Sequence, residues 1–182
     1  NLPDELNYLL SNNKKTILLT THRRENLDDL HSVYRAIQRI TDRHEDVQVI
    51  FPIHKNPVIR KKAQEIIGEN TRVHLIDPLE YEQFIHLMKR SYLIITDSGG
   101  IQEEAPGLGI PVLVARDTTE RPEGVEAGTL LLVGTDEEKI VEEVERLLLN
   151  PEDYQTMSGI QNPFGQGDSA KKIVSYVKMK LK

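Results

Sequence analysis

Four short stretches of this chain combine residues that can hold or act on an anion, and each follows an apolar run. The clearest is Thr96-Asp97-Ser98-Gly99-Gly100-Ile101-Gln102-Glu103-Glu104, directly after Tyr92-Leu93-Ile94-Ile95. Two glycines let a ligand approach the backbone closely. If a helix opens there, its first-turn N–H groups lack intrahelical partners and its dipole adds partial positive charge. Such a corner suits a diphosphate. Ser98 can donate its hydroxyl or cap the helix, and Glu104, one turn on, can accept from two vicinal ribose hydroxyls. The local pattern also describes a capped helix whose glycines serve only tight packing.

The second stretch, Thr20-Thr21-His22-Arg23-Arg24-Glu25-Asn26, puts His22 and two arginines at a strand end, where they can face a phosphate or developing negative charge. Of these only His22 titrates near neutrality. A solvated loop with an incidental Arg–Glu pair, and a helix cap at Asn26 or Asp28, is the plainer alternative. In Arg116-Asp117-Thr118-Thr119-Glu120-Arg121-Pro122-Glu123, Arg121 can clamp a phosphate by its planar fork, or the segment is an exposed charged loop. In Pro52-Ile53-His54-Lys55-Asn56-Pro57, His54 can bind an anion or cover a sheet edge. Phe84 stands at helical spacing with Met88, which reads as core packing.

The elements around these stretches alternate. Apolar strands are expected at 16–20, 47–51, 73–76, 92–96, 111–115 and 130–133. Helices are expected at 28–44, from Pro57, at 80–90, from about Gly100, at 136–149 and from Ser169 to Leu181, several with apolar residues at 3.6 spacing. Strands that are apolar throughout, each followed by a helix, imply a parallel sheet covered on both faces. The expected fold is α/β, a Rossmann-like doubly wound parallel sheet of about six strands, forming one domain over 1–182. Ligands of such sheets sit beyond the carboxyl ends of the strands, where the strand order reverses.

Composition narrows the chemistry. With 182 residues the chain can bury a real core. A net charge of −6 with scattered Lys and Arg argues against nucleic acid or an anionic membrane as partner. No apolar run reaches the roughly 18 residues of a membrane span. The absence of Cys excludes disulfides and thiolate chemistry and is compatible with a cytoplasmic home. Six dispersed His residues without His-Glu-x-x-His give no metal site, so the metal expectation is none. Neither Gly-x-Ser-x-Gly nor Gly-x-Gly-x-x-Gly follows a strand, which argues against a hydrolase triad and a nicotinamide or flavin enzyme. The start at Asn1, without Met, suggests that a segment precedes it.

Taken together, Thr21-His22-Arg23-Arg24-Glu25-Asn26, Pro52-x-His54-x-Asn56-Pro57, Thr96-Asp97-Ser98-Gly99-Gly100-x-Gln102-Glu103-Glu104 and Arg116-x-Thr118-Thr119-Glu120-Arg121-Pro122-Glu123 resemble the C-terminal-half signatures of non-hydrolysing UDP-N-acetylglucosamine 2-epimerases, in the same order and spacing. The resemblance runs from about Asn1 to Lys182. It implies the second domain of a GT-B-type fold, two Rossmann-like domains across a cleft, with a closing helix that packs back toward the absent N-terminal domain. It implies interconversion of UDP-N-acetylglucosamine and UDP-N-acetylmannosamine by anti elimination of UDP and re-addition to 2-acetamidoglucal. No dissociable cofactor is implied, and the full-length enzyme is expected to be a cytoplasmic homodimer serving surface-polysaccharide synthesis.

By the same resemblance, Ser98, Gly99 and Gly100 would cradle the diphosphate, Glu104 would bind ribose, and Phe84 would contact uracil by backbone or ring. Arg121 would hold phosphate or close the cleft, and His22 would stabilise or protonate the departing diphosphate. Arg23 and His54 are the candidates for a second, activating sugar-nucleotide site. The catalytic carboxylates of the family belong to the first domain, so this chain alone is expected to bind UDP without turnover. The rival readings are the donor-binding half of a GT-B glycosyltransferase, a non-catalytic UDP-sugar module, and the hydrolysing variant of the family. The His-Arg-Arg-Glu-Asn and Thr-Thr-Glu-Arg-Pro loops favour the epimerase.

Overall fold

The computed structural model describes residues 2–21, 30–53 and 55–181. Six strands, β1 (Lys15–Thr20), β2 (Val47–Pro52), β3 (Val73–Ile76), β4 (Leu93–Thr96), β5 (Val112–Val114) and β6 (Leu130–Leu132), form one parallel sheet in the order β3-β2-β1-β4-β5-β6. The order reverses between β1 and β4, whose last residues, Thr20 and Thr96, are register partners. The expected α/β class and strand number are therefore found.

Alternate residues of each strand serve opposite faces, which is why the strands read as unbroken apolar runs. Ile17, Leu19, Val49, Ile95 and Leu113 lie in one buried cluster with α2 (Leu30–Arg43), α3 (Pro57–Ile67) and α7 (Glu137–Leu149). Leu18, Ile50, Ile94 and Val112 lie in the other with α1 (Asp4–Leu9), α4 (Tyr81–Lys89) and α5 (Gly99–Glu104), and Val125 of α6 (Pro122–Ala127) packs against it. Arg35 and Arg39 of α2 reach Glu137 of α7 at 2.7 and 2.8 Å, and Arg43 reaches Glu145 at 3.1 Å, tying two neighbouring helices along their outer edges. Tyr154 of α8 (Pro151–Ser158) stacks on Tyr92 with ring centres 4.2 Å apart.

Three helices escape the periodicity reading: α1, α6 and α8 have 6, 6 and 8 residues, too short to show a repeating apolar stripe. α6 and α8 both start on a proline, whose missing N–H costs nothing in a first turn. The closing helix, α9 (Ser169–Lys180), buries none of its residues, and Ile173, Val174 and Val177 on one side are about half exposed.

At the reversal of strand order the hydroxyls of Thr20 and Thr96 meet at 2.6 Å in the interior. The Thr96 hydroxyl also accepts the Ser98 N–H at 3.0 Å, which fixes the first bend of the chain leaving β4. Replacing Thr96 by the isosteric Val orphans both partners. Thr96→Val is expected to lower the unfolding free energy by about 1–3 kcal/mol, the cost of buried polar groups left unpaired. Urea titration checks this, and a loss within error at unchanged m-value would remove the pair from any structural role.

Candidate functional site

The carboxyl ends of β1 and β4 lie side by side at the reversal of strand order, and the turn from β4 into α5 stands directly beyond them. Ser98 is the N-cap residue, with φ −87° and ψ 127°, and its side chain makes no cap bond. The cap alternative for that hydroxyl is thus not realised. The amides of Gly99, Gly100 and Ile101 belong to the first turn, where a helix offers no acceptor. The first amide to close the helix is that of Gln102, on the Ser98 carbonyl at 3.3 Å. α5 then runs directly into a 3-10 turn, Ala105–Leu108.

Gly100 separates the two readings of the glycine pair. Among the described residues, a methyl group on Gly100 would meet nothing nearer than the Ser98 Oγ at 4.0 Å, and its φ is not positive. Neither packing against the described residues nor strain requires glycine there, unlike Gly124, where an added Cβ would come within 2.4 Å of Leu130. The open space beside exposed Gly100 is what a ligand drawn against the amides would fill.

Glu104 is half-buried. Six residues beyond Ser98, it lies about 9 Å along the axis, and helical side chains lean back toward the N-terminus. It borders an open groove of about 730 Å³, whose other walls include Ile85, Leu108, Asn162 and Gln166. Phe84 in α4 is half-buried and packs against the second core cluster. Its amide is committed to the Glu80 carbonyl at 2.9 Å, which leaves the ring, rather than the N–H, to meet any base.

Arg121 caps the start of α6, and its Nε donates to Glu103, the residue before Glu104. A second guanidinium nitrogen reaches the Glu120 carbonyl at 3.1 Å. The guanidinium expected to be open for a phosphate is therefore held on α5 by a carboxylate. Arg116 pairs with Glu120 at 2.7 Å within the same loop.

Sequence reasoning missed Gln102 and Thr119. The first is fully buried, and its side chain accepts from the Thr119 hydroxyl. Both stand inside recognised stretches, but nothing in their spacing announces that they meet.

At the end of β1, the Thr21 hydroxyl contacts the Tyr34 hydroxyl at 3.2 Å. Burial, with a smaller contribution from the Asp97 carboxylate and partly offset by the Thr21 bond, pushes the Tyr34 pKa up to about 12. Tyr34 is accordingly a neutral hydrogen-bonding group, fully buried beside the end of β1. His22, Arg23 and His54 lie outside the described residues. Among the described residues, no group of three His, Cys, Asp or Glu side chains could hold a metal ion, and no helix is long and apolar enough to cross a membrane.

Known proteins share this fold. Residues 3–178 match the family described as UDP-N-acetylglucosamine 2-epimerase. The enzyme of that name from Bacillus subtilis (strain 168) is 55% identical over 161 residues, 88% of this chain and 42% of the relative. Among solved structures, the S. aureus MnaA–UDP co-structure superposes with a TM-score of 0.93 at 42% identity, covering 100% of this chain and 50% of that one. The UDP-GlcNAc 2-epimerase from Neisseria meningitidis bound to UDP-GlcNAc gives 0.88 at 41% identity, over 97% and 50%. The C-terminal domain of a group 1 glycosyltransferase from Francisella tularensis, at 12% identity and a TM-score of 0.65, shares the fold alone. The chain spans about half the length of the relatives it matches. A family match across nearly every residue, on a sheet whose reversal point carries the Ser98-Gly99-Gly100 turn, has one consequence: this chain belongs to the UDP-N-acetylglucosamine 2-epimerase family.

Proposed function

We propose that this chain is the nucleotide-gripping half of an enzyme that interconverts UDP-N-acetylglucosamine and UDP-N-acetylmannosamine by eliminating and re-adding UDP. The observation that carries it is the α5 corner: first-turn amides, a Ser98 hydroxyl that makes no cap bond, and space at Gly100 that none of the described residues fills, all at the sheet reversal. The amides of Gly99 and Gly100 and the Ser98 hydroxyl take the diphosphate, whose charge the local dipoles stabilise despite the net −6 of the chain. Glu104 accepts from the ribose hydroxyls, the Phe84 ring lies against uracil, and Arg121 turns from Glu103 to phosphate.

His22, two residues beyond β1 in sequence, stabilises or protonates the leaving diphosphate, as the family resemblance implies. Arg23 and His54 serve a second sugar-nucleotide site by the same resemblance. The relatives solved with UDP and with UDP-GlcNAc support the ligand class. Elimination also needs a base over C2, and that base belongs to the first domain. The half-exposed apolar side of α9 is the surface on which that domain would rest. In the full-length protein we place a cytoplasmic homodimer, with this chain inactive by itself.

Calorimetry with UDP and this chain tests the site. Glu104→Ala is expected to weaken UDP by about 10- to 150-fold, the equivalent of charge-assisted bonds worth about 1.5–3 kcal/mol. An unchanged dissociation constant removes Glu104 from the ribose role. Gly100→Ala is expected to leave the unfolding free energy unchanged or raised by up to about 1 kcal/mol, since alanine is the better helix residue. The same substitution should cut UDP affinity about tenfold or more by standing between amides and phosphate. A variant that binds UDP normally would return the glycine to packing. Incubating the full-length protein with UDP-N-acetylglucosamine alone should give the manno isomer without an acceptor; free N-acetylmannosamine would identify the hydrolysing reaction instead, and no product would favour the glycosyltransferase or sensing readings.

A further inference from the structure

Gln102 stands one helical turn into α5 and is fully buried, yet its side chain is an amide. Both ends of that amide are used. Nε2 donates to the Ser98 carbonyl at 3.2 Å, and Oε1 accepts from the Thr119 hydroxyl. A carbonyl can only accept, so the orientation of the amide is fixed by its partners. The Thr119 oxygen in turn accepts the backbone N–H of Arg121 at 3.1 Å. Four residues are thus joined in one line, from the Ser98 turn through Gln102 and Thr119 to the amide of Arg121. A second tie runs alongside, from Glu103 to the Arg121 guanidinium.

We infer that Gln102 is a positioning residue, which holds Arg121 in register with the Ser98-Gly99-Gly100 turn so that both meet the same diphosphate. The inference rests on the nucleotide reading of that turn. The physical reason is geometric. Arg121 lies on the segment between β5 and α6, and the amides lie on the start of α5. Two elements that grip one small dianion must keep their spacing to within a fraction of an ångström for the fork and the amides to act together. A long arginine side chain on a loop loses rotamer freedom when it binds, and an anchored backbone lowers that loss. Gln102 supplies the anchor from a fully buried position, its two bonds reaching outward to the half-buried Ser98 and Thr119. The network also rigidifies the loop without consuming the donors of the guanidinium itself, because Thr119 takes the Arg121 backbone amide.

The test is a double-mutant cycle read by UDP affinity and by amide hydrogen exchange. Gln102→Met keeps the side chain's length and removes both of its bonds. It is expected to weaken UDP by about three- to tenfold, the range of one ordinary hydrogen-bond link. In an Arg121→Ala background the same substitution should cost nothing further, since what it positions is gone. Exchange at the Arg121 amide should rise while amides of β4 and β5 keep their protection. Additive losses in the cycle, or faster exchange spread through the sheet, would mean that Gln102 only supports the fold, and the inference falls. Should Gln102→Met not fold, Thr119→Val breaks the line at its next link with an isosteric side chain, and Thr119→Ser restores the hydroxyl. Loss of affinity in the valine variant and recovery in the serine variant is the expected pattern; a valine variant with full affinity overturns it. Failure of the unaltered chain to bind UDP would sink the nucleotide reading and this inference together. Normal binding by both the unaltered chain and Gln102→Met would sink this inference alone.

Discussion

No helix can cover the carboxyl ends of β1 and β4 together, because the chain leaves them toward opposite faces of the sheet. That reversal forces a crevice, and it forces polar backbone to end there. The interior beneath it is closed by hydroxyls rather than by hydrocarbon: Thr20 with Thr96, Thr21 with Tyr34. Each pair satisfies polar atoms at the rim of an otherwise apolar core, where an unpaired group would cost about 1–3 kcal/mol. Thr96 extends the satisfaction upward by accepting the Ser98 N–H. The bend into α5, and hence the direction in which its first amides point, follows from that bond.

Charge on the rim is arranged to be exchangeable. The Arg121–Glu103 pair is partly exposed on both sides, with the arginine side chain 30% and the carboxylate 44% accessible. Pairs so placed contribute only about 0–1 kcal/mol in water. Trading the carboxylate for a phosphate therefore costs little, while a bidentate bond to phosphate is among the stronger contacts an arginine makes. The backbone of Arg121 is held quite differently, through Thr119 and the fully buried Gln102. A firm backbone under a loosely held guanidinium suits the role proposed for Arg121, which would be in place before a ligand arrives and would release its own partner when it does.

How far all this could be read from the residues depends on whether each feature is local. The six strands were legible because burial on both faces writes an unbroken apolar run, and the long helices because their stripes repeat over three or four turns. Their ends moved by one or two residues, as at β4, which starts at Leu93 rather than Tyr92. α1, α6 and α8 were not legible, since six to eight residues carry barely two turns of pattern. In the candidate site, Ser98, Gly99, Gly100 and Glu104 stand out because they follow the apolar run into β4 and open a helix. Gln102 and Thr119 did not, because a glutamine and a threonine 17 positions apart show nothing in sequence of the bond that joins them. The grip of Glu103 on Arg121 was hidden for the same reason: tertiary pairing leaves no period.

The division of labour in the proposed reaction follows from what the rim has left to offer. The two carboxylates on α5 nearest the cradle are Glu103, engaged with Arg121, and Glu104, which faces the groove and is assigned to ribose. A carboxylate that removes a proton from C2 must hold that proton in the transition state; Glu103 cannot do so without releasing Arg121, nor Glu104 without giving up the ribose proposed for it. What the corner can supply is stabilisation of charge: fixed amide dipoles and one recruitable cation aimed at the diphosphate as it leaves. The diphosphate gains negative charge as its bond to the sugar breaks, so dipoles already fixed on it favour the separated diphosphate over the bound sugar nucleotide. A base contributed from across the crevice then acts on the sugar while this domain keeps the leaving group in place for its return, which is the condition for re-addition rather than loss of the unsaturated sugar.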